Sequence, residues 1–596
     1  MKKFLMRFLA TIGFITLLPI VILLGMKLFQ VKTTPGLPPQ IVLTLDVGEN
    51  FPESPALKGL QQILTGPTTT FFDLLRALSA AELDPKVKGI VLRLNDPAIG
   101  LAQLEELREA LMIFRKNGKF VLVYADTFGD LSPGTKKYYL ASCADQIWMQ
   151  PFSSLNLTGI QVDQPFFGNV LKKLGVLPQI STRKEYKNAY ASLTDAEASD
   201  ANKGATTNLL QRLHDKLMAD ITAGRELSST ALQEVTRDNP MMSDKEAKTN
   251  HLIDRLGYID EFKQAALDKA SVGGTVQSSA DKKDPKNAAA FVPIHYYSAL
   301  VNEALAPQEE KIALIYGVGA IMQDDKEGGG LMGQSYIMGA DETRRSFEDA
   351  LKDPQIKAIV FRIDSPGGSA VASETVRRLI HIAQDKGVPV VASLGNIAAS
   401  GGYWFAAPCK KILAQNMTIT GSIGTIGGKV VFRELLENFD VNISTMAVGE
   451  NGSLWSPLTA YTDDQQRHID LTMDLLYARF IELVAQGRGL ALDHVSEIAK
   501  GRVWTGTEAK TFGLVDDIGG LREAFAAAKE LGGIESKNPY EIVIYPRPKT
   551  VFESLQQALT GQSSFGVFWK NITQIFTHYK ILLSSDIKLM ASEPMF

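Results

Sequence analysis

Cysteine is almost absent: Cys143 and Cys409 are the only two among 596 residues. A disulfide framework is thereby excluded, and both thiols sit in apolar helical context where burial suits them better than bridging. No Cys/His cluster has zinc-ligand spacing, so no metal site is expected. A basic excess is also missing, with 62 Lys+Arg against 66 Asp+Glu and a net charge of −4. Nucleic-acid binding would call for a basic stripe, and none is present. Histidine is scarce as well, with seven in the chain and none between Ser400 and His468. Long apolar runs are missing apart from one near the N-terminus.

That run spans residues 9–26, with Lys2, Lys3 and Arg7 before it and Lys27 and Lys32 after it. It is just long enough to cross a bilayer, and no small-x-small cleavage site follows. A signal anchor over 8–28 is expected, with a short cytoplasmic segment 1–7 and the rest of the chain outside the cytoplasm.

The main content of the chain is a repeat. Asp84-Pro85-Lys86-Val87-Lys88-Gly89-Ile90-Val91-Leu92-Arg93-Leu94-Asn95-Asp96-Pro97 recurs as Asp353-Pro354-Gln355-Ile356-Lys357-Ala358-Ile359-Val360-Phe361-Arg362-Ile363-Asp364-Ser365-Pro366. So wide a spacing means a duplicated domain, not a solenoid. Each copy alternates apolar strands with amphipathic helices, the pattern of α/β units around a largely parallel sheet. The expected domains are 29–272 and 309–536, joined by a polar, Gly/Ser/Lys-rich linker within 273–308 and followed by a tail 537–596. The tail's apolar residues recur at helical spacing, as expected of a helix packing on protein; its few basic residues argue against a membrane-surface helix.

The copies differ where chemistry belongs. In the second, a strand runs into Ala398-Ala399-Ser400-Gly401-Gly402-Tyr403-Trp404, a tight turn with backbone N–H groups exposed around a serine. Ser365-Pro366-Gly367-Gly368-Ser369 makes another such turn after the neighbouring strand. Together they can form an oxyanion hole. Aligning Tyr138 with Tyr403 places Ser400 on Thr135, and the first copy keeps neither the serine nor the glycines. A serine nucleophile needs a base. His468 reads as a solvated helix residue and His381 as lying on a helix that packs beside the sheet, so a histidine triad stays open with nothing in the sequence to support it; lysine is the other option, since its amine can be desolvated into a base. Aligning the copies from Leu193-Thr194 and Leu458-Thr459 sets Lys187 opposite Gly452, and Ile160 opposite Ser422. The first copy has the lysine and the second has the serines.

These motifs, with Thr420-Gly421-Ser422-Ile423-Gly424, resemble the signal peptide peptidase A family of S49 serine peptidases in its long, duplicated form. The resemblance implies two tandem ClpP/crotonase-like domains behind a transmembrane helix. It implies Ser400 as nucleophile, Lys187 as base, Ser422 orienting the lysine, and the Gly368 and Gly401 N–H groups as oxyanion donors. Lys184 is the nearest rival base, and Asn188 departs from the serine expected after the lysine. The resemblance further implies hydrophobic peptide substrates such as signal-peptide remnants, and no metal or organic cofactor. A homo-oligomer, a tetramer, is expected at a bacterial inner membrane, with its catalytic domains in the periplasm. A catalytically inactive membrane scaffold on a crotonase-like fold is the alternative, and an acyl-CoA hydratase-like enzyme a third reading.

Overall fold

The computed structural model describes residues 37–55, 69–272, 289–304, 306–323 and 337–547. The expected anchor at 8–28 and most of the tail lie outside the described residues, and among those described no helix is long and apolar enough to cross a membrane.

Among the described residues each copy is built on one main sheet, in which six parallel strands follow the same order. The first runs Arg255–Leu256, Gln146–Met149, Phe120–Ala125, Val87–Arg93, Gln40–Asp46, Ala289–Pro293. The second runs Asp517–Ile518, Lys411–Ala414, Val390–Ala399, Ile356–Ser365, Lys311–Val318, Glu541–Tyr545. Ile359, Val360 and Phe361 are all fully buried, as a strand covered on both faces requires. Two segments expected outside the copies prove to be part of them. Ala289–Pro293, placed in the linker by its polar surroundings, closes the edge of the first sheet, and Glu541–Tyr545, placed in the tail, closes the second. Short edge strands carry too few residues to show a period, and only their pairing identifies them.

The same hydrogen bonds pin both copies. Tyr138 Oη donates to Leu252 O at 2.5 Å, and Tyr403 Oη to Leu514 O at 2.7 Å. Asp254 accepts from Ile147 N–H and Asp516 from Ile412 N–H, both at 2.7 Å. Each copy also carries an arm: Ser154–Asn156 pairs antiparallel with Met241–Ser243, and Ile419–Gly421 with Val503–Thr505.

The copies share a buried joint. Arg362, wholly buried, is held by Glu53 at 2.5 Å and Glu106 at 2.8 Å, both from the first copy. Phe72 of the first copy packs among Ile312, Leu314 and Val360, with its ring 5.6 Å from Phe525. Elsewhere Leu177–Arg183 of the first copy lies antiparallel on Thr425–Val431 of the second, so the two domains exchange a ribbon. Both cysteines are free and buried.

Candidate active site

The strand Val390–Ala399 delivers Ser400 to the start of helix Gly401–Ala406. Ser400 has φ 54° and ψ −120°, a backbone that costs a non-glycine residue about 1–3 kcal/mol. Its surroundings hold it there: its N–H donates to Gly421 O at 2.9 Å, and its carbonyl accepts from Tyr403 and Trp404 N–H. The two glycines that follow allow close packing, since a Cβ at Gly401 would lie 2.5 Å from Ser373 Oγ and one at Gly402 3.0 Å from Ser365 O.

The Ser365–Ser369 turn presses against this bend. Gly367 has φ 104°, and a Cβ there would stand 2.7 Å from Ser400 Cβ. Gly368 bridges Ile321, whose N–H and carbonyl bond Gly367 O and Ser369 N–H. A parallel bridge of this kind turns the Gly368 N–H to the opposite side. Neither that N–H nor the one on Gly401 has a protein acceptor among the described residues. Two free donors beside a serine hydroxyl are what a developing oxyanion needs.

Lys187 arrives from the first copy on the turn after Leu177–Arg183. Its Nζ stands 2.9 Å from Ser400 Oγ, 3.0 Å from Ser422 Oγ and 2.8 Å from Ser422 O. Lys187 is 6% exposed, and burial pushes its amine down to about 8. No carboxylate opposes that shift. Ser422 has φ 50° and is fixed by its N–H to Arg502 O at 2.7 Å. Of the residues named from sequence, Ser400, Lys187, Ser422, Gly368 and Gly401 therefore meet in one place. Lys184 does not join them; its Nζ lies over the Tyr477 ring, 5.9 Å from the centroid. His468 is exposed beside Asp464, and His381 contacts Arg377 on its own helix.

Sequence reasoning missed the supports of the lysine. Gly501, φ 81°, lies so near Lys187 that a Cβ would fall 2.6 Å from both the Lys187 N and Cβ. Tyr186 N–H donates to Lys500 O at 3.1 Å. Arg183 is clamped by Asp470 and Asp474 of the helix Asp463–Arg488. The one available signal was the glycine in Lys500-Gly501-Arg502, which stands at Asn239 in the first copy.

The ladder also corrects two alignments between copies. Leu157 N–H donates to Pro240 O as Ser422 N–H does to Arg502 O, so Leu157, not Ile160, is the counterpart of Ser422. Gly134 N–H donates to Asn156 O as Ser400 N–H does to Gly421 O, so the backbone counterpart of Ser400 is Gly134 and not Thr135. The first-copy helix has one more residue before its tyrosine, which displaced the sequence match. A Cβ at Gly134 would meet Phe128 O at 1.6 Å, so no hydroxyl-bearing side chain fits there. Gly452 opposite Lys187 stands: Lys187 N–H bonds Lys184 O at 3.0 Å, and Gly452 N–H bonds Gly449 O at 3.1 Å.

The pattern of peptidase family S49 matches residues 113–273 and 382–535, one stretch in each copy. The chain belongs to peptidase family S49. It is 31% identical over 506 residues to Protease 4 of Salmonella typhi, covering 83% of this chain and 76% of that one. To Protease 4 of Haemophilus influenzae it is 31% identical over 468 residues, covering 77% and 72%. To the chloroplastic serine protease SPPA of Arabidopsis thaliana it is 28% identical over 491 residues, covering 82% and 69%. It is thus a serine protease of the S49 family, and family membership spans both copies although only the second carries a serine at the bend.

Proposed function

We propose that this S49 peptidase works through a Ser400/Lys187 dyad on hydrophobic peptides, signal-peptide remnants foremost. The observation that carries this reading is the placement of one buried, easily deprotonated amine within hydrogen-bonding distance of the serine at the bend. Neutral Lys187 takes the Ser400 proton as Oγ attacks the scissile carbonyl carbon. The carbonyl oxygen, now negative, is bound by the N–H groups of Gly368 and Gly401. Collapse breaks the C–N bond, and the lysine ammonium gives its proton to the departing amine. Water then loses a proton to Lys187, attacks the acyl ester and releases the carboxylic acid, with the proton returned to Ser400. Ser422 holds the lysine amine on line throughout.

In the same reading the segment 8–28 anchors the chain in a bacterial inner membrane, the two domains lie in the periplasm, and chains assemble into a homo-oligomer, a tetramer. The apolar length of 9–26 supports the membrane placement, and the motif resemblance implies the oligomer. Hydrolysis of a fluorogenic hydrophobic peptide tests the dyad. Ser400→Ala and Lys187→Ala should each lose roughly three orders of magnitude or more in kcat. Undiminished hydrolysis by either variant refutes the dyad and leaves the inactive scaffold as the better reading for this site.

A further inference from the structure

Ser365 ends the strand Ile356–Ser365 wholly buried, and its hydroxyl has no part in the dyad. That hydroxyl makes two bonds. It donates to Gly319 O at 2.7 Å and accepts from Gly367 N–H at 3.2 Å. The first bond reaches the segment that runs beside the Ser365–Ser369 turn, and the second reaches the turn itself. Gly319 is fixed in return, since its N–H donates to Asp364 O at 2.9 Å.

Gly367 is the pliable point of this turn. Its φ of 104° suits glycine, and it has no side chain to hold it there. One bond on each flanking peptide holds it instead. The peptide after it is pinned by Gly367 O, which accepts from Ile321 N–H at 3.0 Å. The peptide before it is pinned by Gly367 N–H on Ser365 Oγ. With both planes fixed, φ and ψ of Gly367 are set. In a trans peptide the Gly368 N–H then points away from the Gly367 carbonyl and its Ile321 partner. Gly368 N lies beside the catalytic bend, where a Cβ on Gly401 would stand 3.2 Å from it.

The first copy closes the same strand end without this hydroxyl. It has Asp96-Pro97-Ala98-Ile99 where the second has Ser365-Pro366-Gly367-Gly368. The Asp96 side chain is 81% exposed and pairs with Lys137 Nζ at 2.9 Å, while Pro97 O accepts from Lys136 Nζ at 2.9 Å. The sheet therefore forms without a serine at this place. Ser365 accompanies the glycines and Ser400 in the one copy that carries them, so it is the turn and not the strand that requires it.

We infer that Ser365 is a positioning residue of the oxyanion hole: its buried hydroxyl locks Gly367 so that the Gly368 N–H meets the negative oxygen of the tetrahedral intermediate. Its bonds go to Gly319 and Gly367, not to Ser400 or Lys187, so it acts through the turn. A donor aimed at a charge that develops only during reaction contributes to the transition state and little to the bound ground state. Loss of the hydroxyl therefore lowers kcat and leaves KM nearly unchanged. The inference rests on the Ser400/Lys187 reading and extends it to the residue that aims one of its two oxyanion donors.

The full-length protein in detergent micelles is made as Ser365→Ala, Ser365→Thr and Ser365→Val. Threonine and valine share a shape, so any strain from the added methyl is common to both and only the hydroxyl separates them. Hydrolysis of the fluorogenic hydrophobic peptide gives kcat and KM, and inhibition is measured with a peptide aldehyde and the matching peptide alcohol. Ser400 Oγ adds to the aldehyde carbon, its proton passes to Lys187, and the former carbonyl oxygen becomes the anion between the N–H groups; the alcohol cannot add. Ser365→Ala should lose roughly 10- to 100-fold in kcat and a like factor in aldehyde affinity. KM and alcohol affinity should hold, with the pH midpoint still set by Lys187 at about 8. Ser365→Thr should keep about tenfold more kcat than Ser365→Val. An unchanged kcat in Ser365→Ala, a kcat loss with unchanged aldehyde affinity, or equal kcat in the threonine and valine variants overturns the positioning role. Each of these leaves the dyad standing when Ser400→Ala is inactive in the same assay. A Ser400→Ala enzyme that still hydrolyses the peptide refutes the dyad, and this inference with it.

Discussion

Lys187 Nζ and Ser400 Oγ are 2.9 Å apart although 213 residues separate them in the chain. The contact crosses the joint between two domains, and three features bring it about. The ribbon of Leu177–Arg183 on Thr425–Val431 sets the height of the lysine turn. The Arg183 clamp fixes its angle, and Gly501 lets its backbone come close. Two domains that slid by one residue along that ribbon would separate the pair.

Deprotonation of Lys187 should govern the pH profile. Burial lowers its amine to about 8, and only the neutral form accepts a proton. The rate constant kcat/KM should climb about tenfold per pH unit below that value and level off above it. A pH series on a neutral hydrophobic peptide reads this directly; a flat profile from pH 6 to 9 contradicts it.

Ser422→Ala removes one of the three oxygens around the lysine amine and leaves Ser400 Oγ at 2.9 Å and the Ser422 carbonyl at 2.8 Å. A loss of roughly 10- to 100-fold in kcat with KM nearly constant is expected, the pattern of a group that positions a base. Steady-state kinetics at pH 9, where the amine is neutral, should still show the loss. An unchanged kcat would mean that the carbonyl alone orients Lys187.

Gly501→Ala drives a methyl to 2.6 Å from the Lys187 backbone, at a φ of 81°. Gly118 provides the control, with φ 79° and nothing within 4 Å of a Cβ. Both alanine variants should lose roughly 1–3 kcal/mol in denaturant unfolding from backbone strain alone. Only Gly501→Ala should also lose kcat. Equal activities in the two variants would show that the close approach at 501 does not position the base.

Arg362→Met leaves Glu53 and Glu106 facing each other in the buried joint. Breaking such an ion triad costs about 3–5 kcal/mol because an uncompensated charge stays behind. The same change at Arg93, whose partner Asp126 is nearly half exposed, should cost less than about 1 kcal/mol. Thermal unfolding of the two variants side by side makes the comparison, and similar losses would contradict a special role for the joint.

The duplicated α/β pattern, the serine between small residues and glycines, and the candidate lysines Lys187 and Lys184 of the first copy were all legible as sequence. They are local: period, turn chemistry and motif depend on neighbours in the chain. The edge strands Ala289–Pro293 and Glu541–Tyr545 were not, because five residues of ordinary composition become a strand only when a sheet edge accepts them. Two of the cross-copy alignments failed for a related reason. An extra residue in the helix before Tyr138 keeps the tyrosine match and shifts the backbone by one, and only the hydrogen-bond ladder reveals it.

By itself the sequence determined which residue types were present for the chemistry, and that the two halves had lost different ones. Tertiary structure decided that the halves dock with Lys187 over Ser400, that Gly501 and Arg183 hold it there, and that the first copy's own bend is sealed by Phe128 at Gly134. The physical reason is range. Side-chain identity and turn preference are written residue by residue, whereas a buried amine acquires its lowered affinity for a proton only when distant segments close around it and exclude water.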